Sequence, residues 1–415
     1  MRILVIHQYF LAPGQPGGGG SRFNEFARLW RESGHEVTVI AGTVDHATGL
    51  PLEGTRGWIH RRDERGVDVR RCHVPGSYRH GYFGRMWAFL GFAVTGTIGA
   101  ISAPRPDVII ATSPPLTAAI TGAVASLWHR RPWVFEVRDL WPESAVTTGV
   151  LKPHGLLTRL LYALERIACR RAAIITVLTP AFADDLKRRH LAAEAKLKFV
   201  PNGADLEVFA PASRLNAARE RYGWQDRFVA LYAGAHGRAN AIMQLVDAAT
   251  ALRDRHDIRI VSVGDGPERH ACEREAEVRG LSNIQFIGPV PKDEMPGLIN
   301  ASDVGLAVLQ NNPTFLTVYP NKVFDYMACQ KPVVIAIDGI ARTLVCETAS
   351  AGLFAAPEDG NAIAAAVIKL RDDPGLAAAL GRNGLAWVRT HADRRVLARR
   401  YLDALSTLAP QCTES

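Results

Sequence analysis

The residues best suited to bind a charged ligand lie between positions 320 and 337. Pro320 and Asn321 predict a helix start, because Asn caps free backbone N–H groups and Pro does not continue a helix upstream. Lys322 adds a positive charge where the helix dipole also favours an anion such as a diphosphate. Asp325 follows one turn later, and its carboxylate suits the two hydroxyls of a ribose. The apolar run 333–337 then predicts a strand.

A second group of reactive side chains accompanies the predicted strand 133–137. Glu136, Arg138, Asp139 and Glu143 lie at or just beyond its carboxyl end, where parallel sheets bind ligands. The acids can orient or deprotonate a hydroxyl, whereas Arg138 stays protonated and can hold an anion or a neighbouring carboxylate. We predict that Asp139, Arg138 and Glu143 are catalytic. The alternative is a purely structural pairing of Asp and Arg.

Four consecutive glycines, Gly17 to Gly20, precede a helical pattern that begins near Arg22. Glycine permits close backbone approach and positive φ, so N–H groups can surround a phosphate or sugar oxygen. Gly18, Gly19 and Gly20 are therefore predicted to contact such a group, and the alternative is a flexible surface loop. The spacing does not fit G-x-G-x-x-G, and no acidic residue ends a second strand, which argues against an NAD enzyme.

These segments resemble the retaining glycosyltransferases of family 4. The run PNKVFDYMACQKP at 320–332 is similar to their nucleotide-sugar motif, and RDLWPES at 138–144 resembles the branch that makes surface polysaccharides. That branch includes the WbuB-like amino-sugar transferases of O-antigen and colanic acid synthesis. The resemblance extends over nearly the whole chain. It implies the GT-B fold, in which two Rossmann-like domains face each other, and transfer with retention of anomeric configuration.

The resemblance also implies roles for individual residues, with some departures. The family has a Gly-Gly-x-x-Arg-like loop after the first strand, which implies that Arg22 joins the glycines in contacting a phosphate or sugar. Family members commonly place an Arg and a Lys on the donor diphosphate where this chain has Ala235 and Asn240. We therefore predict that Arg238 and Lys322 bind the diphosphate instead. His236 lies between these positions, and a lone His in a turn is more often a scaffold than a catalyst.

The sugar and ribose contacts follow from the same motif. Asp325 takes the place of the acid that binds the ribose, and Thr317 stands where family members often carry an acid near the sugar. Replacement of a charge by a hydroxyl favours a deoxy or N-acetylated sugar. Asn202 and Asn321 complete the predicted donor-binding residues.

The chain has 415 residues, of which 47% are hydrophobic and 22% charged, as expected for a globular protein of two domains. Continuous apolar runs alternate with helical patterns, which predicts parallel sheets covered on both faces. The α/β prediction is a GT-B protein with an acceptor-binding domain at 1–205, completed by a helix at 391–410, and a donor-binding domain at 206–390. The strands are predicted at 3–6, 36–42, 107–112, 133–137, 173–178, 197–200, 228–233, 258–263, 284–287, 303–308 and 333–337.

The net charge of +8 is carried by the first half of the chain, since residues 1–205 contain 26 Lys and Arg against 17 Asp and Glu. No nucleic-acid-binding motif accompanies it, so an anionic lipid surface or a phosphorylated substrate is the better partner. Residues 86–103 are apolar and uncharged. They predict an interfacial helix flanked by Arg79 and Arg85, a buried core helix or, less readily because of their Gly and Ser content, a membrane-spanning helix.

Together these features predict a cytoplasmic enzyme, peripheral on the inner face of the cell membrane. It would move a sugar, from a UDP-sugar by preference, to a lipid-linked or growing glycan of an O-antigen, capsule or exopolysaccharide. No Asp-x-Asp motif is present, so no metal or other cofactor is expected, and the six cysteines form no CxxC pair and read as reduced thiols. The alternatives are a nucleotide-sugar epimerase of the same fold and a non-catalytic nucleotide- or glycan-binding protein.

Overall fold

The computed structural model describes residues 1–11, 22–45, 49–55, 57–64, 66–76 and 81–409, with the side chains of residues 81–83 left out. These residues form two compact units. The first contains Met1–Pro201 and the chain from Leu397 onward, and the second contains Asn202–Val396. The divisions lie close to the predicted boundaries at 205 and 390.

The first unit is built on a largely parallel sheet of eight described strands, with the order β3-β4-β2-β1-β5-β6-β7-β8. The antiparallel pairing of β3 with β4 at one edge is the exception. The strands are β1 (Arg2–Ile6), β2 (Glu36–Gly42), β3 (Ile59–Glu64), β4 (Val67–Cys72), β5 (Val108–Ser113), β6 (Trp133–Val137), β7 (Ile174–Val177) and β8 (Leu197–Phe199).

Helices cover both faces of this sheet. They are α1 (Phe23–Glu32), α2 (Gly81–Ile101), α3 (Ala118–His129), α4 (Glu143–Thr147), α5 (Leu156–Arg171) and α6 (Pro180–Arg188). Helix α1 packs on the face that presents Val39 and Ile110. Helices α2 and α3 lie on the other face, where their glycines approach Ile40 and Ala111, and α5 packs beside α3.

The side-chain exposure along α2 excludes one of the alternatives for residues 86–103. The inner side chains of α2, including Ala88 and Phe92, are fully buried, whereas Trp87 and Val94 are 62% and 59% exposed. The wholly buried core helix is therefore wrong. Within the described residues, no helix is both long and apolar enough to cross a membrane.

The second unit contains a parallel sheet of six strands with the order β11-β10-β9-β12-β13-β14. The strands are β9 (Phe228–Ala233), β10 (Ile258–Val263), β11 (Ile284–Ile287), β12 (Val304–Val308), β13 (Val333–Ala336) and β14 (Gly352–Phe354). The helices are α7 (Ala217–Arg221), α8 (Met243–Ala251), α9 (Arg269–Val278), α10 (Met295–Ala301), α11 (Asn321–Ala328), α12 (Ile340–Arg342), α13 (Gly360–Asp372) and α14 (Pro374–His391). Together the two sheets confirm the predicted α/β class.

The last helix, α15 (Arg394–Ser406), returns the chain to the first unit. The helix predicted at 391–410 is α15, which starts a few residues later because the chain leaves α14 at His391 and first pairs with Ala204. The N–H of Ala204 donates to the Ala392 carbonyl at 2.9 Å, and the N–H of Arg394 donates to the Ala204 carbonyl at 3.0 Å. This short parallel bridge interrupts the helical pattern.

A buried polar cluster fixes α15 within the first unit. The Arg22 guanidinium donates to the Glu136 carboxylate at 2.7 Å, and both side chains are buried. The Tyr401 hydroxyl of α15 donates to the same carboxylate at 3.2 Å. The Trp30 indole N–H donates to the Ala398 carbonyl at 2.9 Å. Thus α15 is held by hydrogen bonds as well as by apolar packing.

Breaking this cluster is expected to destabilise the first unit. Glu136→Ala leaves the Arg22 charge buried without its carboxylate, so the free energy of unfolding should fall by about 3–5 kcal/mol. Glu194→Ala is the matched control, because Glu194 is largely exposed and its removal should cost less than about 0.5 kcal/mol. Urea denaturation measures both. Equal small losses would show that the Arg22–Glu136 pair contributes no more than a surface charge.

Candidate functional site

The first candidate site lies in the second unit, at the carboxyl ends of β9 and β12, where the strand order reverses. Helix α11 is fixed there by Tyr326, whose hydroxyl accepts the Ala233 N–H at 2.9 Å and donates to the Leu306 carbonyl at 3.3 Å. A Cβ at Gly305 would stand only 2.3 Å from the Tyr326 ring, so glycine makes room for it. The start of α11 is thereby held at the position where doubly wound sheets bind ligands.

Lys322 reaches from the first turn of α11 to the end of β9. Its Nζ lies 3.6 Å from the centroid of the Tyr232 ring, a cation–π contact. Loss of hydration lowers the pKa of Lys322 to about 7. The ammonium is therefore poorly solvated and next to helix N–H groups that lack intrahelical partners, which is an arrangement suited to an anion.

Asp325 lies one turn further along α11. Loss of hydration raises the pKa of its carboxyl to about 7, although Arg394 and Lys292 oppose that rise. Its Oδ1 is buried and accepts no hydrogen bond from the described residues. A hydroxyl donor from a ligand would satisfy that oxygen.

Asn202 and Asn321 meet beside this helix start. The Asn202 Nδ2 donates to the Asn321 Oδ1 at 2.6 Å, while the Asn202 Oδ1 is buried without a described partner. Pro320 occupies the N-cap position, and no side chain caps α11. The prediction that Asn321 caps the helix is therefore wrong, because its amide oxygen is used by Asn202 instead.

Arg238 and Thr317 lie on turns that lead into this site. Arg238 is exposed and begins a short 3-10 turn after β9. A 3.0 Å hydrogen bond from the Gln310 N–H to the Ala239 carbonyl joins that turn to the end of β12. Thr317 ends the 3-10 turn Pro313–Thr317 just before α11, and its hydroxyl donates to the Thr314 carbonyl at 2.9 Å.

Two features of the strand ends are structural. The His236 ring is fully buried, with Nε2 2.8 Å from the Ser262 hydroxyl, and loss of hydration with the nearby Arg269 lowers its pKa to about 4. His236 is thus neutral near pH 7 and acts as a scaffold. Gly264 has a φ of +138°, and a Cβ there would stand 1.9 Å from the Gly234 carbonyl oxygen. The close approach of the two strand ends therefore requires glycine.

The second candidate site lies in the first unit, beyond β6. The Arg138 N–H donates to the Ser113 carbonyl at 3.0 Å, which joins it to the end of β5. Its Nη1 lies 3.1 Å from Nε2 of the buried His7, at the end of β1. Burial lowers the pKa of Arg138, and the neighbouring Glu136 opposes this.

His7 is a residue of this site that the sequence analysis does not single out. Its Nδ1 lies 3.2 Å from the Tyr9 N–H. A neutral imidazole accepts at only one ring nitrogen, so Tyr9 and Arg138 compete for it. The available signal was position, because the residue after the first strand of a doubly wound sheet lies at the switch point.

Asp139 and Glu143 each accept a hydrogen bond from a neighbouring hydroxyl. The Ser144 hydroxyl donates to Asp139 at 3.0 Å, and the Tyr162 hydroxyl donates to Glu143. Burial raises the pKa of Asp139, whereas the Ser144 hydrogen bond opposes that rise. Asp139 and Arg138 thus lie together at the end of β6, as the sequence predicts. Glu136 does not join them, because its carboxylate is buried against Arg22.

The prediction that Arg22 contacts a phosphate or sugar is wrong. Arg22 is 2% exposed, and its guanidinium donates to Glu136 and to the Val200 and Pro201 carbonyls, the latter at 2.7 Å. These contacts use it to hold the end of β8, so it is not placed to bind a phosphate. Gly18, Gly19 and Gly20 lie outside the described residues. Among the described residues, no group of three or more His, Cys, Asp or Glu side chains could hold a metal ion.

Comparison with known protein families finds two matching domains. Residues 17–203 match the glycosyl transferase 4-like domain, and residues 227–373 match the glycosyl transferases group 1. The chain is a family 4 glycosyltransferase. It is 24% identical over 80% of its length to the putative colanic acid biosynthesis glycosyl transferase WcaI of Escherichia coli K12, of which 83% is covered. It is also 28% identical over 79% of its length to the 2-deoxystreptamine glucosyltransferase of Streptomyces kanamyceticus, of which 85% is covered.

Solved structures confirm the GT-B fold. HepE of Anabaena in complex with UDP and glucose superposes with a TM-score of 0.73 at 21% identity, covering 98% of this chain and 99% of HepE. WaaG, a glycosyltransferase of lipopolysaccharide biosynthesis, superposes with a TM-score of 0.65 at 18% identity, covering 98% and 100%. The family 4 chain therefore has two Rossmann-like units and a C-terminal helix.

The raised pKa of Asp325 predicts a pH-dependent gain from Asp325→Asn. A carboxyl with a raised folded-state pKa makes stability fall as pH rises from its unfolded value, about 4, to about 7. Asparagine lacks this loss. The variant should therefore be more stable than the wild type by about 1–3 kcal/mol near pH 8 and no more stable near pH 4, as measured by urea denaturation. A difference independent of pH would contradict the assignment.

Proposed function

We propose that this glycosyltransferase moves a sugar from a UDP-sugar, with retention of anomeric configuration, to a lipid-linked or growing glycan. Its product would belong to a cell-surface polysaccharide such as an O-antigen, capsule or exopolysaccharide. The observation that carries the proposal is Lys322, which places a poorly hydrated ammonium over the end of β9 at the start of α11.

The diphosphate is assigned to the start of α11. Transfer of the sugar leaves negative charge on the departing diphosphate, and a preorganised cation with helix N–H groups stabilises that charge. Because the Lys322 ammonium is poorly hydrated, little water has to be displaced from it when it binds this anion. The exposed Arg238, which follows β9, supplies the second positive charge.

The remaining donor contacts follow from unused hydrogen-bonding atoms. The Asp325 Oδ1 would accept a ribose hydroxyl, and the Asn202 Oδ1 is free of described partners in the same way. Thr317 brings a hydroxyl, rather than an acid, towards the sugar. This supports an N-acetylated or deoxy sugar in the donor.

The acceptor is assigned to the first unit, where Asp139, Arg138 and Glu143 follow β6. Since burial raises the pKa of Asp139, this carboxyl is more basic than an exposed one and better suited to orient an acceptor hydroxyl. The transferred proton would pass to the leaving diphosphate on the same face of the sugar. We place the enzyme in the cytoplasm, on the inner face of the cell membrane, where lipid-linked acceptors and cytoplasmic nucleotide-sugars are both available.

Removal of the Lys322 ammonium tests the diphosphate site. Lys322→Ala should weaken UDP binding by about 1.5–3 kcal/mol, because a charge-assisted contact is lost, and should leave uridine binding nearly unchanged. Lys369→Ala, which removes an exposed lysine of α13, is the matched control. Calorimetric titration measures both ligands. An equal loss for UDP and uridine would refute the assignment.

Chelation tests the source of the positive charge. Because side chains and helix N–H groups supply it in this proposal, sugar transfer should continue in excess EDTA. Product formation would be followed with a UDP-sugar donor and a lipid-linked acceptor. Loss of transfer in EDTA that magnesium or manganese restores would overturn the metal-free mechanism.

A further inference from the structure

The outward face of α2 is apolar along about three turns. Trp87, Leu90, Val94 and Ile98 recur at intervals of three or four residues and are 62%, 44%, 59% and 41% exposed. Such spacing puts them on one stripe of the helix. From residue 86 to residue 104 the chain has no charged side chain to interrupt that stripe.

The neighbouring helices extend this apolar face. Helix α3, which packs against α2, exposes Val124, Leu127 and Trp128 and carries no Lys, Arg, Asp or Glu. Helix α5, which packs against α3, exposes Leu156, Leu160 and Ile167. We call these ten side chains the three-helix surface. Single exposed apolar residues are ordinary, but a contiguous set on adjacent helices marks a binding surface.

Positive charge accompanies the three-helix surface. Arg159, Arg166 and Arg170 form an exposed row along α5 beside its apolar stripe, and Arg130 is exposed at the end of α3. Acidic side chains do not balance them. Over the described residues of 81–131 and 156–171 the acids are Asp107, which accepts the Arg2 N–H, and Glu165, which is buried against Arg189.

We propose that the three-helix surface docks on an anionic lipid bilayer. Exposed tryptophans and leucines suit the boundary between headgroups and acyl chains, and the arginine row suits negative headgroups. The face extends over three adjacent helices, which gives a lipid surface a broad area to contact. The inference rests on the proposed function in one respect, since docking would serve to bring the first unit to a lipid-linked acceptor.

Co-sedimentation of the full chain with lipid vesicles tests this inference. The wild type should pellet with vesicles of phosphatidylcholine and phosphatidylglycerol and remain in solution with phosphatidylcholine alone. Raising the salt from about 0.1 M to about 1 M shortens the Debye length from ~10 Å to ~3 Å and should release it.

Two pairs of substitutions locate the contact. The first pair is Arg159→Glu with Arg166→Glu, and the second is Leu127→Ser with Trp128→Ser. Each pair should lower the partition coefficient for the vesicles at least about tenfold. The matched controls are Arg382→Glu with Arg389→Glu and Leu215→Ser with Val278→Ser, exposed residues of the second unit that should leave binding unchanged. All changed side chains are largely exposed, so folding should persist, and circular dichroism checks it.

The outcomes separate this inference from the proposed function. Vesicle binding without UDP affinity would support the membrane contact and contradict the proposed donor site. UDP affinity without any preference for anionic vesicles would support the donor site and contradict the membrane contact. If the test and control variants release the protein equally, the contact does not lie on the three-helix surface. Concentration-dependent dimerisation abolished by Leu127→Ser with Trp128→Ser, without vesicle binding, would assign the surface to a second copy and overturn the proposal.

Discussion

The candidate site of the second unit depends on the two hydrogen bonds of the Tyr326 hydroxyl. The hydroxyl accepts a backbone N–H from β9 and donates to a backbone carbonyl of β12, so one side chain of α11 is bonded to both strands that border the switch point. The helix cannot slide along the sheet without leaving buried backbone groups unpaired, which costs about 1–3 kcal/mol for each group. Lys322 and Asp325 are fixed by the same contact, since they share the first two turns of that helix.

This placement has an energetic cost. The start of α11 brings an ammonium and a carboxyl into a poorly hydrated region, and each pKa moves to about 7, away from the value of an exposed side chain. The Asp325 Oδ1 and the Asn202 Oδ1 also lack described hydrogen-bond partners. Unpaired polar atoms of this kind are kept at binding sites because a ligand satisfies them. The proposed ligand, which carries both an anion and hydroxyls, would satisfy these groups.

The sequence predicts the strands of both sheets well because continuous apolar runs between helical patterns are a strong signal. It does not predict β3 and β4, whose residues include His60, Arg61 and Arg70, because this antiparallel edge is rich in charge. It also misses β14, because three residues are too few to give a pattern. The positions of Lys322 and Asp325 at a helix start and of Asp139 just after a strand could be predicted from residue type and pattern. The burial of Arg22 against Glu136, the contact between His7 and Arg138 and the bridging role of Tyr326 could not, because each joins residues distant in sequence.

The most direct test of the account is the ionisation of Lys322 with and without UDP. Lysines labelled by reductive ¹³C-methylation would be followed by NMR across a pH titration, with Lys322→Arg used to assign the signal. The account predicts that one lysine titrates near pH 7 in the free enzyme, far below the usual value of about 10.4, and that UDP raises its pKa because the bound diphosphate favours the charged form. A Lys322 signal that titrates with the other lysines, or that UDP leaves unchanged, would contradict it.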